Sequence, residues 1–151
     1  LFQMLRLTLS SLTRVSALPR VAATSFSTSQ RLQNEQRQVK FATTNGVHIG
    51  KANLGDSLLD VVVNNDIPLD GFGACEGTLA CCTCHVVLSP EHFARVGKVN
   101  PVGEEEMDLL DLAPALSDES RLGCQIKLEQ SDPIVLEVTV PEVTRDARTL
   151  D

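Results

Sequence analysis

The feature that most constrains this chain is a run of cysteines, CEGTLACCTCH, at residues 75–85. It holds four of the five cysteines of the 151-residue chain, and the fifth, Cys124, follows in SRLGCQI. Thiolates are soft ligands, and four of them at one site suit either Zn²⁺ or an iron–sulfur cluster. We therefore expect the chain to fold around a metal-binding loop that one distant cysteine closes.

The spacing of the cysteines favours an iron–sulfur cluster. Structural zinc sites typically combine two C-x2-C pairs. This chain has a single such pair, Cys81 and Cys84, and five residues separate it from Cys75. Three ligands on one loop and one remote ligand are typical of a [2Fe–2S] cluster, as a variant of the plant-type spacing. A small zinc-stabilised interaction module is the alternative from another class of protein.

Four cysteines are assigned as ligands of the cluster: Cys75, Cys81, Cys84 and Cys124. Cys82 is assigned as a bystander thiol. Its side chain is expected to point away from that of Cys81, and a register through Cys82 gives C-x6-C-x-C, which matches no expected ligand spacing.

Glycines surround these cysteines at positions 71, 73 and 77. They let the backbone turn tightly, and the N–H groups of such turns can be aimed at sulfur, which stabilises a negatively charged cluster and tunes its potential. A zinc site has less need of a long glycine-rich loop. Gly73 and Gly77 are therefore predicted to support the cluster.

The first 38 residues differ in composition from the rest of the chain. Residues 1–38 hold five Arg and one acid, a net charge of +4, whereas the remainder carries −11. A leader rich in Arg, Ser and Thr is typical of a mitochondrial transit peptide. We expect a transit peptide at 1–38, one domain at 39–145 and a polar tail at 146–151. The reducing matrix then favours metal ligation over disulfides.

The remaining pattern predicts an α+β fold. An Asn-Gly pair at 45–46 indicates a hairpin turn, and helices are indicated where a capping residue precedes apolar residues at intervals of three or four. Gly55 or Asp56 is expected to cap the first helix. The elements expected are strands at 39–44, 47–53, 84–88, 124–129 and 133–140, and helices at 56–65, 89–97 and 104–113. This order is compatible with a β-grasp mixed sheet crossed by one main helix.

The helix predicted at 104–113 has an acidic stripe. At 100° per residue, Glu104, Asp108 and Asp111 share one face, and the apolar residues Leu109, Leu110 and Ala113 lie opposite. In a generic protein this face would simply be solvated. The net charge of −11 also repels nucleic acid and anionic membranes and attracts basic protein surfaces, which makes the stripe a candidate docking surface. No stretch approaches the ~20 apolar residues of a membrane span.

Three stretches resemble the adrenodoxin-like, vertebrate-type mitochondrial [2Fe–2S] ferredoxins: GDSLLDVVVNNDIPLDGFGACEGTLACCTCH, EEEMDLLDLAPALSDESRLGCQI and VPEVTRDAR. The resemblance implies the β-grasp ferredoxin fold, with Cys75 and Cys81 on one iron and Cys84 and Cys124 on the other. The other positions to which it implies a role are Thr83 (a hydrogen bond to sulfur), His85 (a hydrogen bond towards Ser120) and Arg121 (a pair with an acid).

The same resemblance implies a soluble, monomeric one-electron carrier rather than an enzyme. It would accept an electron from an NADPH-dependent flavoprotein ferredoxin reductase. It would deliver the electron to a mitochondrial cytochrome P450, to the iron–sulfur cluster assembly machinery, or to both. Pro114 stands where the vertebrate proteins often have an aromatic residue, and the sequence leaves the acceptor open.

Overall fold

The computed structural model describes residues 36–149. Most of the predicted transit peptide lies outside these residues. Within them, no helix has the length and apolar character needed to cross a membrane. The elements are β1 (Arg37–Thr43), β2 (Gly46–Ala52), α1 (Leu58–Asn64), β3 (His85–Val87), α2 (Pro90–Val99), α3 (Glu104–Leu110), β4 (Ser120–Leu122), β5 (Val135–Thr139) and a 3₁₀ turn at Ala147–Thr149.

The strands form one mixed sheet in the order β2-β1-β5-β3-β4. β1 and β2 make the predicted hairpin, with Thr43 opposite Gly46. β1 pairs in parallel with β5, from Gln38 opposite Val135 onwards, whereas β5–β3 and β3–β4 are antiparallel. The prediction of an α+β mixed sheet is confirmed. β1 starts at Arg37, so it includes the last two residues of the segment assigned to the transit peptide.

The core lies between α1 and one face of the sheet. Val39 and Phe41 of β1 are completely buried, as are Leu58 and Val61 of α1. The ring of Phe41 meets that of Phe72 edge to face, with centroids 6.3 Å apart, which joins the core to the start of the cysteine loop. α1 and the sheet thus give that loop a rigid base.

Ser57 caps α1, so the prediction of Gly55 or Asp56 as the cap was wrong. The Ser57 hydroxyl accepts from the Asp60 N–H, and the Asp60 carboxylate accepts from the Ser57 N–H, which together make a capping box. Asp56 instead accepts from the N–H of Asn53 in the preceding turn. Ser89 caps α2 and Pro90 is its first residue, as predicted.

The prediction that residues 124–129 form a strand of the sheet was also wrong. This segment pairs with the turn before α1, where the Leu58 N–H donates to Ile126 O and the Leu128 N–H donates to Asp56 O. Ile126 and Leu128 are buried there, so their alternation reflects burial beneath the start of α1. The short strand β4, which the sequence did not predict, takes the outer place in the sheet.

Candidate metal centre

The cysteine loop between α1 and β3 is a series of tight turns. Gly71, Gly73 and Gly77 all have positive φ, between +72° and +83°. A side chain at Gly73 would be strained, because φ is +72° and a Cβ there would lie 2.1 Å from Leu59 Cδ1. Glycine is therefore strongly favoured where the loop passes over α1.

The four cysteines assigned as ligands lie in two pairs whose thiols act on each other's ionisation. Cys81 lowers the pKa of Cys75, and Cys84 and Cys124 shift each other's pKa in opposite directions. The Gly123 N–H donates to Cys84 O at 2.8 Å and so ties the remote cysteine to the end of the loop. All these cysteines are free thiols, which leaves them available to a metal.

The surroundings lower the pKa of one thiol in each pair, so this thiol ionises readily to the thiolate. Burial raises the pKa of Cys75, but hydrogen bonds from the Ala80 N–H, the Cys81 thiol and other donors lower it to about 6. The hydrogen bond from Cys84 lowers the pKa of Cys124 to about 7, against the opposing effect of burial. The same hydrogen bond and, as the next largest cause, burial raise the pKa of the Cys84 thiol. Thiolate is the form that binds metal.

Two side chains donate, or are placed to donate, to these sulfurs. Thr83 Oγ1 lies 3.1 Å from Cys81 Sγ and accepts from the Ala74 N–H at 3.0 Å, so its hydroxyl hydrogen is free to point at the sulfur. Gln125 Nε2 donates to Cys124 Sγ at 3.3 Å. The sequence analysis did not identify Gln125, although its place directly after the last cysteine is a signal that could have done so.

Cys82 faces away from these pairs. Its Sγ donates to Arg145 O at 3.1 Å, and burial raises the pKa of its thiol. The Ala147 N–H donates to Cys81 O at 3.0 Å, so the 3₁₀ turn after Arg145 covers this side of the loop. Residues 146–149, predicted to be part of a polar tail, thus contact the candidate metal centre.

The donor set fits a two-iron cluster. Two irons need two thiolates each, and the loop together with Cys124 provides the four assigned thiols, all of them free. A single zinc ion needs all four sulfurs to converge on one point.

Beyond the thiols, β3 and β4 place His85 beside Ser120. His85 Nε2 lies 2.7 Å from Ser120 Oγ, so the contact implied by the resemblance is present. Burial lowers the pKa of His85, which keeps the ring neutral. This hydrogen bond links the residue after Cys84 to the segment that leads to Cys124.

Arg121 forms a buried ion pair with Glu106. Arg121 Nε donates to Glu106 Oε1 at 2.8 Å and Nη2 donates to Oε2 at 3.1 Å, and the two side chains are 0% and 4% exposed. Glu106 Oε1 also accepts from the Leu122 N–H at 2.9 Å. The pair therefore fixes α3 against β4. The sequence analysis missed Glu106, because nothing in its spacing separates it from the acids beside it.

α3 presents acidic residues to solvent. Glu104, Asp108 and Asp111 are exposed, whereas Leu110 and Ala113 are buried and Leu109 is half-buried, which agrees with the two faces that the sequence predicted. The regular helix ends at Leu110, shorter than expected, and Asp111 is its C-cap. The acidic stripe is thus the outer face of the helix that Glu106 anchors.

No protein-family model matches the chain. Adrenodoxin-like protein 2, mitochondrial, of Drosophila melanogaster is 48% identical over 130 residues, which cover 85% of this chain and 84% of that protein. The 2Fe-2S ferredoxin of Rickettsia bellii is 48% identical over 113 residues, which cover 74% of this chain and 96% of that protein. The crystal structure of the covalent putidaredoxin reductase–putidaredoxin complex matches with a TM-score of 0.59 at 30% identity, over 70% of this chain and 99% of that one.

Proposed function

The chain belongs to the adrenodoxin family of mitochondrial [2Fe–2S] ferredoxins, and we propose that its cluster is held by Cys75, Cys81, Cys84 and Cys124. As in the rest of that family, the protein is a one-electron carrier and not an enzyme, and its cofactor is a [2Fe–2S] cluster. The cluster supplies the redox chemistry, alternating between two states that differ by one electron. Nothing in the comparisons supports the zinc-stabilised module.

The pairing of the thiols carries the ligand assignment. Cys75 and Cys81 are proposed to hold one iron and Cys84 and Cys124 the other, since the thiols within each pair act on each other's pKa. N–H groups and the hydroxyl of Thr83 are aimed at sulfur, and such donors stabilise added negative charge and raise the reduction potential.

The absorption spectrum of two variants tests the ligand set. Cys124→Ser removes one predicted ligand, and we expect the protein to lose the visible bands that bleach on reduction. Cys82→Ser is the matched control, because a serine hydroxyl can replace the thiol as donor to Arg145 O; its spectrum should be unchanged. Loss of the bands in Cys82→Ser, or their survival in Cys124→Ser, would refute the assignment.

The acidic stripe is the proposed docking surface for an NADPH-dependent ferredoxin reductase. The exposed carboxylates of Glu104, Asp108 and Asp111 attract a basic partner from a distance, which gives fast association without slow release. The complex of putidaredoxin with its reductase supports a reductase as the partner. The proposed acceptors are a mitochondrial cytochrome P450, the iron–sulfur cluster assembly machinery, or both, and the proposed location is the matrix, where the protein acts as a monomer.

Reduction kinetics with an adrenodoxin-type reductase test the docking surface. Asp108→Lys with Asp111→Lys should slow reduction strongly at low ionic strength and leave the absorption spectrum intact. Glu129→Lys with Glu137→Lys makes the same change of charge at exposed acids away from α3 and should have a much smaller effect. Equal effects of the two double variants would show that only net charge matters and would refute a specific surface.

A further inference from the structure

A pocket of about 250 Å³ opens between α2, α3 and the turn that follows α3; we call it the α3 pocket. Its apolar lining consists of Phe93, Val102, Met107, Leu110 and Leu116. Met107 is 53% exposed and Leu116 is 49% exposed. Large apolar side chains are thus held open to solvent beside the acidic stripe.

The α3 pocket lies in the most acidic part of the chain. Residues 101–119 contain seven acids and no Lys or Arg, and of these acids Glu106 is neutralised by Arg121. Asp111 and Asp118 line the pocket themselves, and both are exposed. An occupant therefore needs a positive charge for the rim and apolar surface for the interior.

We propose that the α3 pocket receives the side chain of an arginine from the partner protein, an inference that rests on the proposed docking function. The methylene stem packs against Met107 and Leu116, and the guanidinium group lies at the carboxylates of Asp111 and Asp118. Arginine suits such a site better than lysine, because its planar, weakly hydrated head pairs with carboxylates while its stem covers apolar surface. Arginine is also enriched among the residues that dominate binding energy at interfaces.

Two other occupants fit the charges poorly. A second copy of this chain would bring an equally acidic surface to the rim, and like charges brought together at an interface oppose association. An anionic membrane surface is repelled for the same reason.

The α3 pocket can fix the orientation of a bound partner, which an acidic surface alone does only weakly. Dispersed carboxylates speed association but fix the orientation of a partner weakly at physiological salt, because exposed charges are screened beyond roughly 8 Å. A side chain buried in the pocket fixes a single orientation of the partner relative to this protein. Leu110 at the pocket packs in the same apolar cluster as Cys84, so the anchor lies on the side of the metal centre. Met107 is flexible and polarisable, which lets one pocket accept successive partners.

The dependence of affinity on salt separates the pocket from the stripe. We expect Met107→Ala with Leu116→Ala to weaken binding to an adrenodoxin-type reductase about tenfold, with nearly the same factor at about 50 mM and about 500 mM salt, because the lost contact is apolar. Glu104→Lys with Asp108→Lys, at stripe residues outside the pocket lining, is the acidic variant and should weaken binding mainly at low salt. Val47→Ala with Val63→Ala, at residues 59% and 63% exposed on β2 and α1, is the matched control and should bind as the wild type does.

Each outcome has a distinct meaning, provided that the variants keep the wild-type visible spectrum and thermal midpoint. If the acidic variant is impaired and the pocket variant is not, the pocket proposal fails and the docking function stands. If the acidic variant binds normally, the docking function fails. If the wild type sediments as a dimer and the pocket variant as a monomer, the occupant is a second copy of the chain, and the proposal is overturned.

Chemical modification of the reductase identifies the side chain that enters. Blocking reductase arginines with a dicarbonyl reagent should abolish the difference in affinity between wild type and the Met107/Leu116 double variant at about 500 mM salt. Blocking its lysines by acetylation should leave that difference intact. The reverse result would replace arginine by lysine and refute the assignment.

Discussion

Glu106→Ala tests how strongly the domain depends on one buried ion pair. The substitution removes the acceptor of two Arg121 donors and of the Leu122 N–H. The guanidinium group stays behind with no solvent exposure and keeps only its bond to Asn100 O. Breaking a buried pair by removing one partner typically costs about 3–5 kcal/mol, because the remaining charge is uncompensated.

The loss of stability should appear as a lower midpoint temperature for the loss of the cluster on heating. A domain of this size loses roughly 3–5 °C of midpoint per kcal/mol, so we expect a fall of roughly 10–25 °C. The assay follows the visible absorbance during heating without oxygen. All variants are scanned at one rate, because unfolding that releases a cofactor is irreversible.

The double variant Glu106→Leu with Arg121→Met is the informative control. Replacing a buried pair by apolar residues of similar size is often neutral or stabilising, so the double variant should recover most of the midpoint lost by Glu106→Ala. The reasoning is refuted if Glu106→Ala lowers the midpoint by less than about 3 °C, or if the double variant is no more stable than the single one.

Three further substitutions have defined outcomes. Burial raises the pKa of Asp132, but the contact with His92 and the hydrogen bonds from the Glu129 N–H and Arg95 Nε lower it to about 2. Asp132→Asn should therefore cost about 1–2 kcal/mol at neutral pH, measured by the thermal midpoint, and the deficit should shrink as pH falls from about 4 towards 2. Gly73→Ala combines a positive φ with a contact to Leu59 and should destabilise by about 2–4 kcal/mol, visible as faster loss of absorbance on heating. Arg148 is exposed and paired with Asp146, in the 3₁₀ turn that contacts the cysteine loop. Arg148→Gln removes a positive charge there and leaves the Asp146 carboxylate unpaired, so it should lower the reduction potential in spectroelectrochemistry; an effect that persists at about 1 M salt would contradict this screened mechanism.

The hairpin and the positions of the helices could be predicted because each depends on neighbouring residues. Asn45-Gly46 defines its turn locally, and Ser89-Pro90 marks the start of α2 in the same way. The pairing of β1 with β5 could not be derived from such signals, because it joins residues at opposite ends of the domain.

Arg121 shows why β4 was missed. A charged residue in a three-residue segment argues against a buried strand, yet Arg121 is completely buried because Glu106, fifteen positions earlier, neutralises it. Only the three-dimensional structure brings these two side chains together. The prediction of a sheet strand at 124–129 was wrong for the opposite reason. The alternation of apolar residues there is typical of a strand, but the backbone partners of the segment belong to the turn before α1.

The parallel pairing of β1 with β5 has a consequence for how the chain acquires its structure. The first strand of the sheet stands between β2 and the last, with Gln38 opposite Val135. Until the last strand is available, the β1–β2 hairpin is alone, and an isolated hairpin is at best marginally stable in water. Contacts so distant along the chain also slow folding. A nascent or truncated chain that ends before β5 therefore lacks the strand that joins the β1–β2 hairpin to β3 and β4.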